Sequence, residues 1–288
     1  MTADSEDPIG PDGMVLPQVG DWAETKYKPV EIYAKLVTTT MTDKWKALAY
    51  IDLFAAAGLG QVRDTERIVP GTVICALRSP VAFDRYLVCE FDPSRFRALR
   101  MRIQRDFPGA DVRYFEGDCN AIVDRVIAEL PGEGNSSSVL TFCVVDPSKI
   151  ADLRFSTIEA LAYIRPGLRR AIDFLVLIPS HMDAHREQVY YLDPSSSALS
   201  DFLGNPSWRD DWFVEVRSGR PRNFGVFVVD EFGKSMQKHG YLWDIKDAIP
   251  IERGRQKLYH LAFFSRHPVG RKFAREARKY ASPQRDLF

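Results

Sequence analysis

Residues 50–60 read YIDLFAAAGLG, and this stretch decides the fold. An apolar run that ends in small residues and glycines is typical of a buried parallel strand followed by a tight, ligand-facing turn. Three more strand-like runs follow, and an acidic residue stands where each one ends: Glu90, Asp118 and Asp146. Because the carboxyl ends of successive parallel strands line one crevice, we expect Asp52 and these three acids to surround a single nucleoside pocket.

The composition indicates a globular chain without a charge bias. Its 288 residues suit one large α/β domain, or one domain with a modest insertion, and 45% of them are hydrophobic. Lys+Arg and Asp+Glu both total 39, so only local patches can argue for nucleic-acid binding. The apolar runs reach about eight residues, short of the ~20 that span a bilayer, so no membrane association is expected.

The beginning of the chain and its cysteines carry little chemistry. Residues 1–20 are acidic, rich in Pro and Gly, and lack an apolar signal core, which predicts a disordered lead to a single domain over 21–288. The four cysteines have neither CxxC spacing nor a nearby His, so no metal site is expected. Cys89 and Cys143 fall in predicted strands and are interpreted as small core residues. A reducing cytoplasm is the expected location.

The remaining pattern predicts a Rossmann-like α/β fold: a mostly parallel seven-stranded sheet, a terminal antiparallel pair and a helical insertion over about 180–219. Helical periodicity covers 21–41, where Pro29 favours two shorter helices. The other predicted helices are 93–107, 121–130, 156–165, 224–238 and 270–280, and a turn cluster is predicted over 132–138. The predicted strands are 49–54, 86–89, 112–115, 139–145 and 174–178, with the antiparallel pair at about 241–251 and 258–265. This strand count is typical of class I methyltransferases.

The strand ends favour S-adenosylmethionine as the ligand, because methyl transfer from a sulfonium needs positioning but neither a metal nor much acid–base chemistry. Gly58 and Gly60 are the expected points of closest approach. Glu90 is expected to accept both ribose hydroxyls, and Asp118 is expected to accept from the adenine amine. Asp52 is expected to orient the turn or to contact the methionine ammonium. Phe54, Ala55, Cys119 and Asp146 complete the expected cofactor contacts.

Two alternatives remain open for these residues. Each acid taken alone is equally consistent with a helix N-cap or a solvated loop end. A nicotinamide cofactor would favour G-x-G-x-x-G, whereas this turn reads Ala56-Ala57-Gly58-Leu59-Gly60. An oxidoreductase is therefore the weaker hypothesis.

A series of short motifs extends across residues 22–273. They are Trp22 with Lys26, residues 50–55 with Gly58, Ser79-Pro80, Glu90, Asp146-Pro147, residues 157–160, Phe202-Leu203-Gly204 with Trp208, residues 258–261 and His267-Pro268. In order and spacing they resemble the three-Cys-motif partner proteins (TcmP-like), a methyltransferase-like family. The resemblance implies a class I methyltransferase fold, a poorly defined substrate and a protein partner encoded nearby, to which the three cysteines belong. Two departures stand out: Ala56 replaces a usual Gly, and Ser148-Lys149 replaces an aromatic-Gly pair.

The acceptor site is expected beside Asp146-Pro147. In amino-methyltransferases of nucleic acids, an Asp/Asn-Pro-Pro-aromatic element holds the target amine and stacks on the flipped base. Asp146, Pro147 and Lys149 are therefore the candidate catalytic residues, with Lys149 either meeting phosphate, lowering the acceptor's pKa, or simply solvated. No ring follows Pro147, so a stacking partner is expected from the insertion, which is predicted to cover the acceptor. The candidates are Tyr190, Tyr191 and Trp208; these rings and Trp212 are equally consistent with a satellite core.

Further candidates complete the functional hypothesis. His181 or His185, after the fifth strand, is a candidate general base, and the alternative is that both belong to a plain polar loop. Candidate phosphate contacts are Arg217, Arg220, Arg222, the Arg-rich helix over 93–107 and the terminal basic helix, unless they are solvated faces. The predicted function is methyl transfer from S-adenosylmethionine to a nucleic acid or nucleotide. The alternative is a non-catalytic binding module.

Overall fold

A seven-stranded sheet forms the centre of the molecule. The computed structural model describes residues 7–63, 65–131, 138–165, 167–219, 221–254 and 256–279. The strands are β1 (Gln18–Val19), β2 (Ala47–Asp52), β3 (Leu59–Val62), β4 (Ile68–Pro70), β5 (Arg85–Glu90), β6 (Val112–Glu116), β7 (Val139–Val145), β8 (Tyr163–Arg165), β9 (Leu168–Arg169), β10 (Ala171–Ile178), β11 (Ile249–Arg253) and β12 (Gln256–Phe264). The helices are α1 (Ala23–Met41), α2 (Thr72–Leu77), α3 (Pro93–Asp106), α4 (Cys119–Ala128), α5 (Phe155–Ala162), α6 (Gln188–Leu192), α7 (Ala198–Leu203), α8 (Trp208–Arg217), α9 (Phe224–Lys238) and α10 (Pro268–Arg278).

The order of the strands identifies the fold. The central sheet runs β11-β12-β10-β7-β2-β5-β6. The five strands from β10 to β6 pair in parallel, and β12 pairs antiparallel with both β10 and β11. Along the chain, β5 and β6 are added on one side of β2, and β7 and β10 are added on its other side. The boundary between β2 and β7 is therefore the switch point, where doubly wound sheets bind ligands. The predicted Rossmann-like α/β fold of the class I methyltransferase type, with its terminal antiparallel pair, is confirmed.

Both faces of the sheet are covered, as a parallel sheet requires. Alternate residues of β2 enter different cores: Ala49 and Ile51 join the core beneath α4, α5 and α9, whereas Leu48 and Tyr50 join the core beneath α1, α2 and α3. This alternation follows from the two-residue period of a strand. It explains why β2 reads as an almost continuous apolar run.

The first helix is continuous, and the prediction of two shorter helices around Pro29 was wrong. Pro29 lies inside α1 and is buried. Proline removes one amide donor from the helix, but the buried face formed by Val30, Tyr33 and Ala34 continues past it. The Tyr33 hydroxyl also donates to the buried Asp173 at 2.6 Å. Packing against the sheet therefore outweighs the loss of one hydrogen bond.

Residues 7–20, predicted to be part of a disordered lead, make strand and side-chain contacts in the structure; residues 1–6 lie outside the described residues. β1 pairs in parallel with β3. The guanidinium of Arg102, on α3, is only 1% exposed and bonds Asp12 at 2.8 Å. It also donates to the carbonyls of Val15 and Ala57. A buried cation needs such partners, so the segment is held in place. The bounds of the domain stay a prediction.

Two smaller differences concern the helices and turns predicted from periodicity. The helix predicted over 156–165 ends at Ala162, and β8 and β9 then form a short antiparallel pair. Within the predicted strand 241–251, only Ile249 to Ile251 pairs with β12. Residues 132–137 of the predicted turn cluster and Tyr280 of the terminal helix lie outside the described residues.

Candidate functional site

A cavity of about 780 Å³ opens at the carboxyl ends of β2, β5, β6 and β7. Its volume lies within the ≈ 300–1,000 Å³ range of small-molecule sites. Nine of the eleven candidate site residues line it: Phe54, Ala55, Gly58, Gly60, Glu90, Asp118, Cys119, Asp146 and Pro147. Among the described lining residues, Asp52 and Lys149 are not found. These nine residues therefore lie together at one edge of the sheet, as their positions at predicted strand ends indicated.

The turn after β2 approaches the cavity with its backbone. The amide of Ala55 donates to the Cys89 carbonyl at 2.9 Å, and the amide of Gly58 donates to the Ala55 carbonyl at 3.4 Å. Gly58 has φ +76°, and a Cβ there would meet Leu99 Cδ1 at 3.1 Å. Ala56, the position where the resemblance expects Gly, has φ +49°. An L-residue with a Cβ is disfavoured in this left-handed region, so the turn carries local strain at Ala56.

Gly60 has a structural reason to be glycine. A Cβ at Gly60 would lie 2.9 Å from Cγ1 of Val19, on the neighbouring strand β1. The close pairing of β1 with β3 therefore depends on the missing side chain. Gly60 lines the cavity, but its own constraint comes from the N-terminal segment.

Asp52 lies behind the turn and holds it. The carboxylate is fully buried and accepts from Thr72 Oγ1 at 2.5 Å, from the Tyr50 hydroxyl at 3.1 Å and from the Phe54 amide at 3.2 Å. Burial raises the pKa of Asp52 to about 6, against the opposing effect of these hydrogen bonds. Of the two roles predicted for Asp52, the geometry supports orientation of the turn.

Glu90 ends β5 beside the turn. Its carboxylate accepts from the Asp92 amide at 2.8 Å and from the Ala56 amide. Burial raises the pKa of Glu90 above its usual value, and the two amide bonds oppose that shift. Phe91, the next residue, is 73% exposed and lines the same cavity. The site therefore places a buried carboxylate next to an unpacked aromatic ring, a feature that sequence reasoning missed.

Asp118 is the N-cap of α4. Its Oδ1 accepts from the Asn120 amide at 2.9 Å and from Asn120 Nδ2 at 2.8 Å. Asn120 Oδ1 also accepts hydrogen bonds from the Arg154 amide and the Thr157 hydroxyl, both at 2.8 Å. Asn120 therefore joins the end of β6 to the segment after β7. The N-cap role and the cavity-lining position coexist at Asp118.

Cys119 is a buried thiol on the wall of the cavity. Burial raises the pKa of Cys119 to about 12, so the thiol is neutral at physiological pH. A neutral thiol is a poor nucleophile, and Cys119 acts here as a small apolar wall. The interpretation of Cys89 and Cys143 as core residues agrees with their full burial.

Asp146 forms an ion pair with Lys26 of α1. Lys26 Nζ lies 2.7 Å from Asp146 Oδ2, and the side chains are 17% and 15% exposed. Burial alone would lower the pKa of Lys26, but the charge and hydrogen bond of Asp146, together with Tyr27 and Tyr259, raise it above its ordinary value. Lys26 thus stays an ammonium. Tyr27 and Tyr259 line the cavity with this pair. In the sequence analysis, Lys26 is named only as part of the family resemblance and is not predicted to be a site residue.

Lys149 does not enter the cavity. Its side chain is exposed, and its amide donates to Asp152 Oδ2 at 2.9 Å as a short 3₁₀ turn begins. The interpretation of Lys149 as a solvated loop residue therefore agrees with the structure. Pro147 is buried on the cavity wall beside Asp146.

The insertion over 180–219 is helical, as predicted, but it does not cover the cavity in this structure. Its described residues are absent from the lining. Tyr191, Trp208 and Trp212 are buried in the core, where Trp212 lies 5.0 Å from the Phe224 ring. The prediction that Tyr191 or Trp208 stacks on an acceptor was therefore wrong, because these rings pack a satellite core. Tyr190 is half exposed outside the cavity.

The two candidate histidines face a polar cluster at the end of β10. The rings of His181 and His185 lie 5.8 Å apart, and His181 lies equally far from His260. The Ser180 hydroxyl bonds His260 Nδ1 at 2.7 Å. Burial lowers the pKa of His260 to about 4 and also lowers that of His181. Neither His181 nor His185 belongs to the described cavity lining.

Neither a membrane-spanning helix nor a metal site is found among the described residues. None of the described helices is both long and apolar enough to cross a membrane. No group of three or more His, Cys, Asp or Glu side chains in the described ranges has the arrangement of a metal site.

Comparisons with known proteins find weak likenesses among solved structures. No family model matches the sequence, and no curated protein matches it. Among solved structures it is similar to cofactor-bound Rv0187 from MTB, with 14% identity, TM-score 0.47, and coverage of 88% of this chain and 84% of that one.

Two further solved structures are similar. The O-methyltransferase TomG from Streptomyces achromogenes, involved in tomaymycin synthesis and bound to SAM, shows 11% identity, TM-score 0.44 and coverage of 88% and 92%. Trm1 from Pyrococcus horikoshii, bound to S-adenosyl-L-methionine, shows 10% identity, TM-score 0.44 and coverage of 93% and 61%. These structural likenesses are weak, so the proposed function is based on the strand order and the cavity. The likeness to the three-Cys-motif partner proteins stays a prediction.

Proposed function

We propose that the protein is an S-adenosylmethionine-dependent methyltransferase and that the cofactor binds the cavity at the carboxyl edge of the sheet. One observation carries the proposal: the Gly58 turn, Glu90 and the Asp118–Asn120 cap face a single cavity at the switch point of a class I methyltransferase sheet. Ligands bind doubly wound sheets at this crevice. The fit rests on donors and acceptors arranged for a nucleoside with a charged tail.

Each wall of the cavity suits a different part of the cofactor. Glu90 is a carboxylate acceptor for the ribose hydroxyls, and exposed Phe91 offers a ring face to the adenine. The Asp118 and Cys119 wall provides an acceptor and an apolar surface for the adenine edge. The backbone of the Gly58 turn, held from behind by Asp52, receives the methionine portion. When bound, the cofactor supplies an electrophilic methyl group, and the protein supplies position.

The acceptor is proposed to be a nucleic acid or a nucleotide, held beside Asp146 and Pro147. The Asp146 carboxylate has one oxygen bonded to Lys26, and its other oxygen is available to orient a donor group on the acceptor. The Lys26 ammonium keeps two further N–H donors. Aromatic side chains of Tyr27 and Tyr259 line this end. Lys149 is proposed only as an outer phosphate contact.

A second candidate function is a binding module that holds the cofactor or a protein partner without turnover. Two observations favour it: Asp146 is already paired with Lys26, and Ser148-Lys149 supplies no ring after Pro147. An ion pair that must open before a substrate binds costs free energy, because each buried charge would lose its partner. The two candidates therefore differ at Asp146 and share the cofactor cavity.

Label transfer separates the two candidates. The protein is incubated with methyl-labelled S-adenosylmethionine and, separately, total RNA, DNA and cell lysate. Transfer that is lost in Asp146→Ala, while cofactor binding is kept, supports the enzyme. The matched control is Asp43→Ala, an exposed acid before β2. Cofactor binding without transfer to any acceptor supports the module.

A further inference from the structure

The helix α8 is held firmly against the core along one side. Trp208 and Trp212 are buried, and their rings lie 5.9 and 5.0 Å from the ring of Phe224 on α9. The Trp208 indole also donates to Ser200 Oγ at 3.0 Å. Because these contacts fix the rotation of α8 about its axis, they also fix which residues lie on its far side.

The far side of α8 has an apolar centre between two opposite charges. Phe213 is 47% exposed and Val214 is 60% exposed. Residues three or four positions apart lie on the same face of a helix, so Asp210 precedes and Arg217 follows both of them on that face. All four residues are exposed. They define the outer face of α8.

The two charges of the outer face are unpaired within the part of the chain that the structure describes: neither Asp210 nor Arg217 forms an ion pair there. Arg217 differs in this from several other arginines that the sequence offered as phosphate contacts, and Arg220 lies outside the described residues. The paired ones are Arg95 with Asp7, Arg102 with Asp12, Arg222 with Glu215, and Arg271 with Asp247.

The outer face of α8 is complementary to itself. The midpoint between Asp210 and Arg217 falls between Phe213 and Val214. If two copies of the helix pack antiparallel about a two-fold axis at that point, Asp210 of each copy lies opposite Arg217 of the other, and Phe213 meets Val214. A closed two-fold dimer requires a self-complementary patch of this kind. A parallel pair would instead bring like charges together.

The geometry allows both charge pairs to form at once. Seven residues of helix rise about 10 Å, so each charge lies about 5 Å along the axis from the centre of the face. Helices that cross at about 20° stay in contact over such a length. One antiparallel crossing can therefore bury the apolar centre and join both pairs.

Exposed apolar side chains adjoin this face. Arg209 Nη2 donates to the carbonyls of Tyr191 and Asp193 at 2.9 and 2.8 Å, so the beginning of α8 lies beside the end of α6. On α6, Val189 is 85% exposed and Tyr190 is 54% exposed. Exposed apolar patches with a polar border are typical of protein interaction sites. The α6 side chains thus enlarge the surface that α8 offers to a partner.

We propose that the outer face of α8 is the contact surface of a homodimer, in which two copies of the chain pack α8 against α8 in antiparallel orientation. No described residue of α8 lines the cavity, so the cavity of each copy stays open. The inference therefore goes beyond the proposed function and does not depend on it. The helix has only 10 residues, and small interfaces are weak, so the dissociation constant is expected to be on the order of 10 μM.

The test is sedimentation velocity of the full chain from about 1 to 200 μM, a range that brackets this constant. The sedimentation coefficient of wild type should rise from that of a monomer to that of a dimer. Asp210→Arg and Arg217→Asp each turn both opposite-charge pairs into like-charge pairs, so each should weaken the dimer about tenfold. An equal mixture of the two variants should dimerise again, because each supplies the charge that the other lacks.

A matched control separates the interface from the helix itself. Asp211→Arg makes the same change in the same turn of α8, one position around the helix from the outer face, and should leave the dimer intact. Circular dichroism checks that each variant is folded. Val214→Ser, which removes the apolar centre without changing a charge, serves as a second variant if a charge reversal unfolds the chain, and it should also weaken the dimer.

Each contrary result overturns the inference. A wild type that stays monomeric throughout the range would leave the outer face to a different partner. A dimer that Asp210→Arg does not weaken, or that Asp211→Arg weakens as much, would place the interface elsewhere. A mixture of Asp210→Arg and Arg217→Asp that fails to dimerise would contradict the antiparallel pairing. Titration with S-adenosylmethionine reports on the proposed function separately, because its failure would leave the dimer untouched.

Discussion

Replacement of Ala56 by glycine tests whether the turn over the cavity is strained. Ala56 has φ +49° and a half-buried side chain. The left-handed conformation costs an L-residue about 1–2 kcal/mol, and glycine removes that cost. Two costs oppose this gain in stability. The greater freedom of glycine in the unfolded chain costs about 0.4–1 kcal/mol, and the loss of a half-buried methyl costs about 0.4 kcal/mol. The net change should be small, and favourable or neutral.

A matched control isolates the strain. Ala82 is an exposed loop residue without positive φ, so Ala82→Gly should lower the free energy of unfolding by about 0.4–1 kcal/mol. The free energy of unfolding of Ala56→Gly should therefore be about 1 kcal/mol higher than that of Ala82→Gly, which corresponds to roughly 2–3 °C in melting temperature. Urea unfolding followed by circular dichroism measures both. If Ala56→Gly loses as much stability as Ala82→Gly, Ala56 is not strained and the turn geometry is wrong.

Three other changes probe the site and the sheet. Glu90→Gln should weaken S-adenosylmethionine binding about tenfold or more in calorimetry, because a charge-assisted hydrogen bond contributes about 1.5–3 kcal/mol; unchanged affinity would remove Glu90 from the site. Lys26→Met should lower the free energy of unfolding by about 3 kcal/mol by leaving Asp146 unpaired, and adding Asp146→Asn should restore most of it; additive losses would contradict the pairing. Burial raises the pKa of Asp173 to about 6, so the native state binds the extra proton between pH 4 and 6. The stability of wild type relative to Asp173→Asn should therefore fall as pH rises through that window, by about 2–3 kcal/mol, and a difference independent of pH would refute the shift.

The repeating part of the fold was predictable from local pattern. The strand predicted over 139–145 and the helix predicted over 224–238 have the same bounds in the structure. Both are long apolar or amphipathic segments bounded by turn residues, so their periodicity is unambiguous. The strand-end positions of Glu90, Asp118 and Asp146 followed from the same regularity, since parallel strands all end at one edge.

Contacts between distant segments were beyond the reach of the sequence. Lys26 and Asp146 are 120 positions apart, and nothing local to either residue indicates the pair. Arg102 looked like one of several solvent-facing arginines, yet its burial depends on Asp12 in a segment predicted to be disordered. Periodicity states which face of a helix is apolar, but it does not say which later segment folds over that face.

The insertion shows a second limit. Its aromatics Tyr191, Trp208 and Trp212 fitted both a lid and a satellite core, because burial of rings looks the same in sequence for either arrangement. The structure shows a satellite core, in which the Trp212 ring packs against Phe224 and Phe227 of α9. The cavity end beside Asp146, where we propose that the acceptor binds, is lined instead by α1 and β12, through Lys26, Tyr27 and Tyr259.

Calorimetric titration with S-adenosylmethionine and its demethylated product tests the central claim most directly. Wild type should give saturable heats with both ligands at micromolar concentrations, in the range typical of enzyme substrates. Gly58→Val should abolish them, because a side chain at φ +76° would strain the turn and meet Leu99. The absence of heat with either ligand, in wild-type protein shown to be folded by circular dichroism, would contradict the assignment of the cavity.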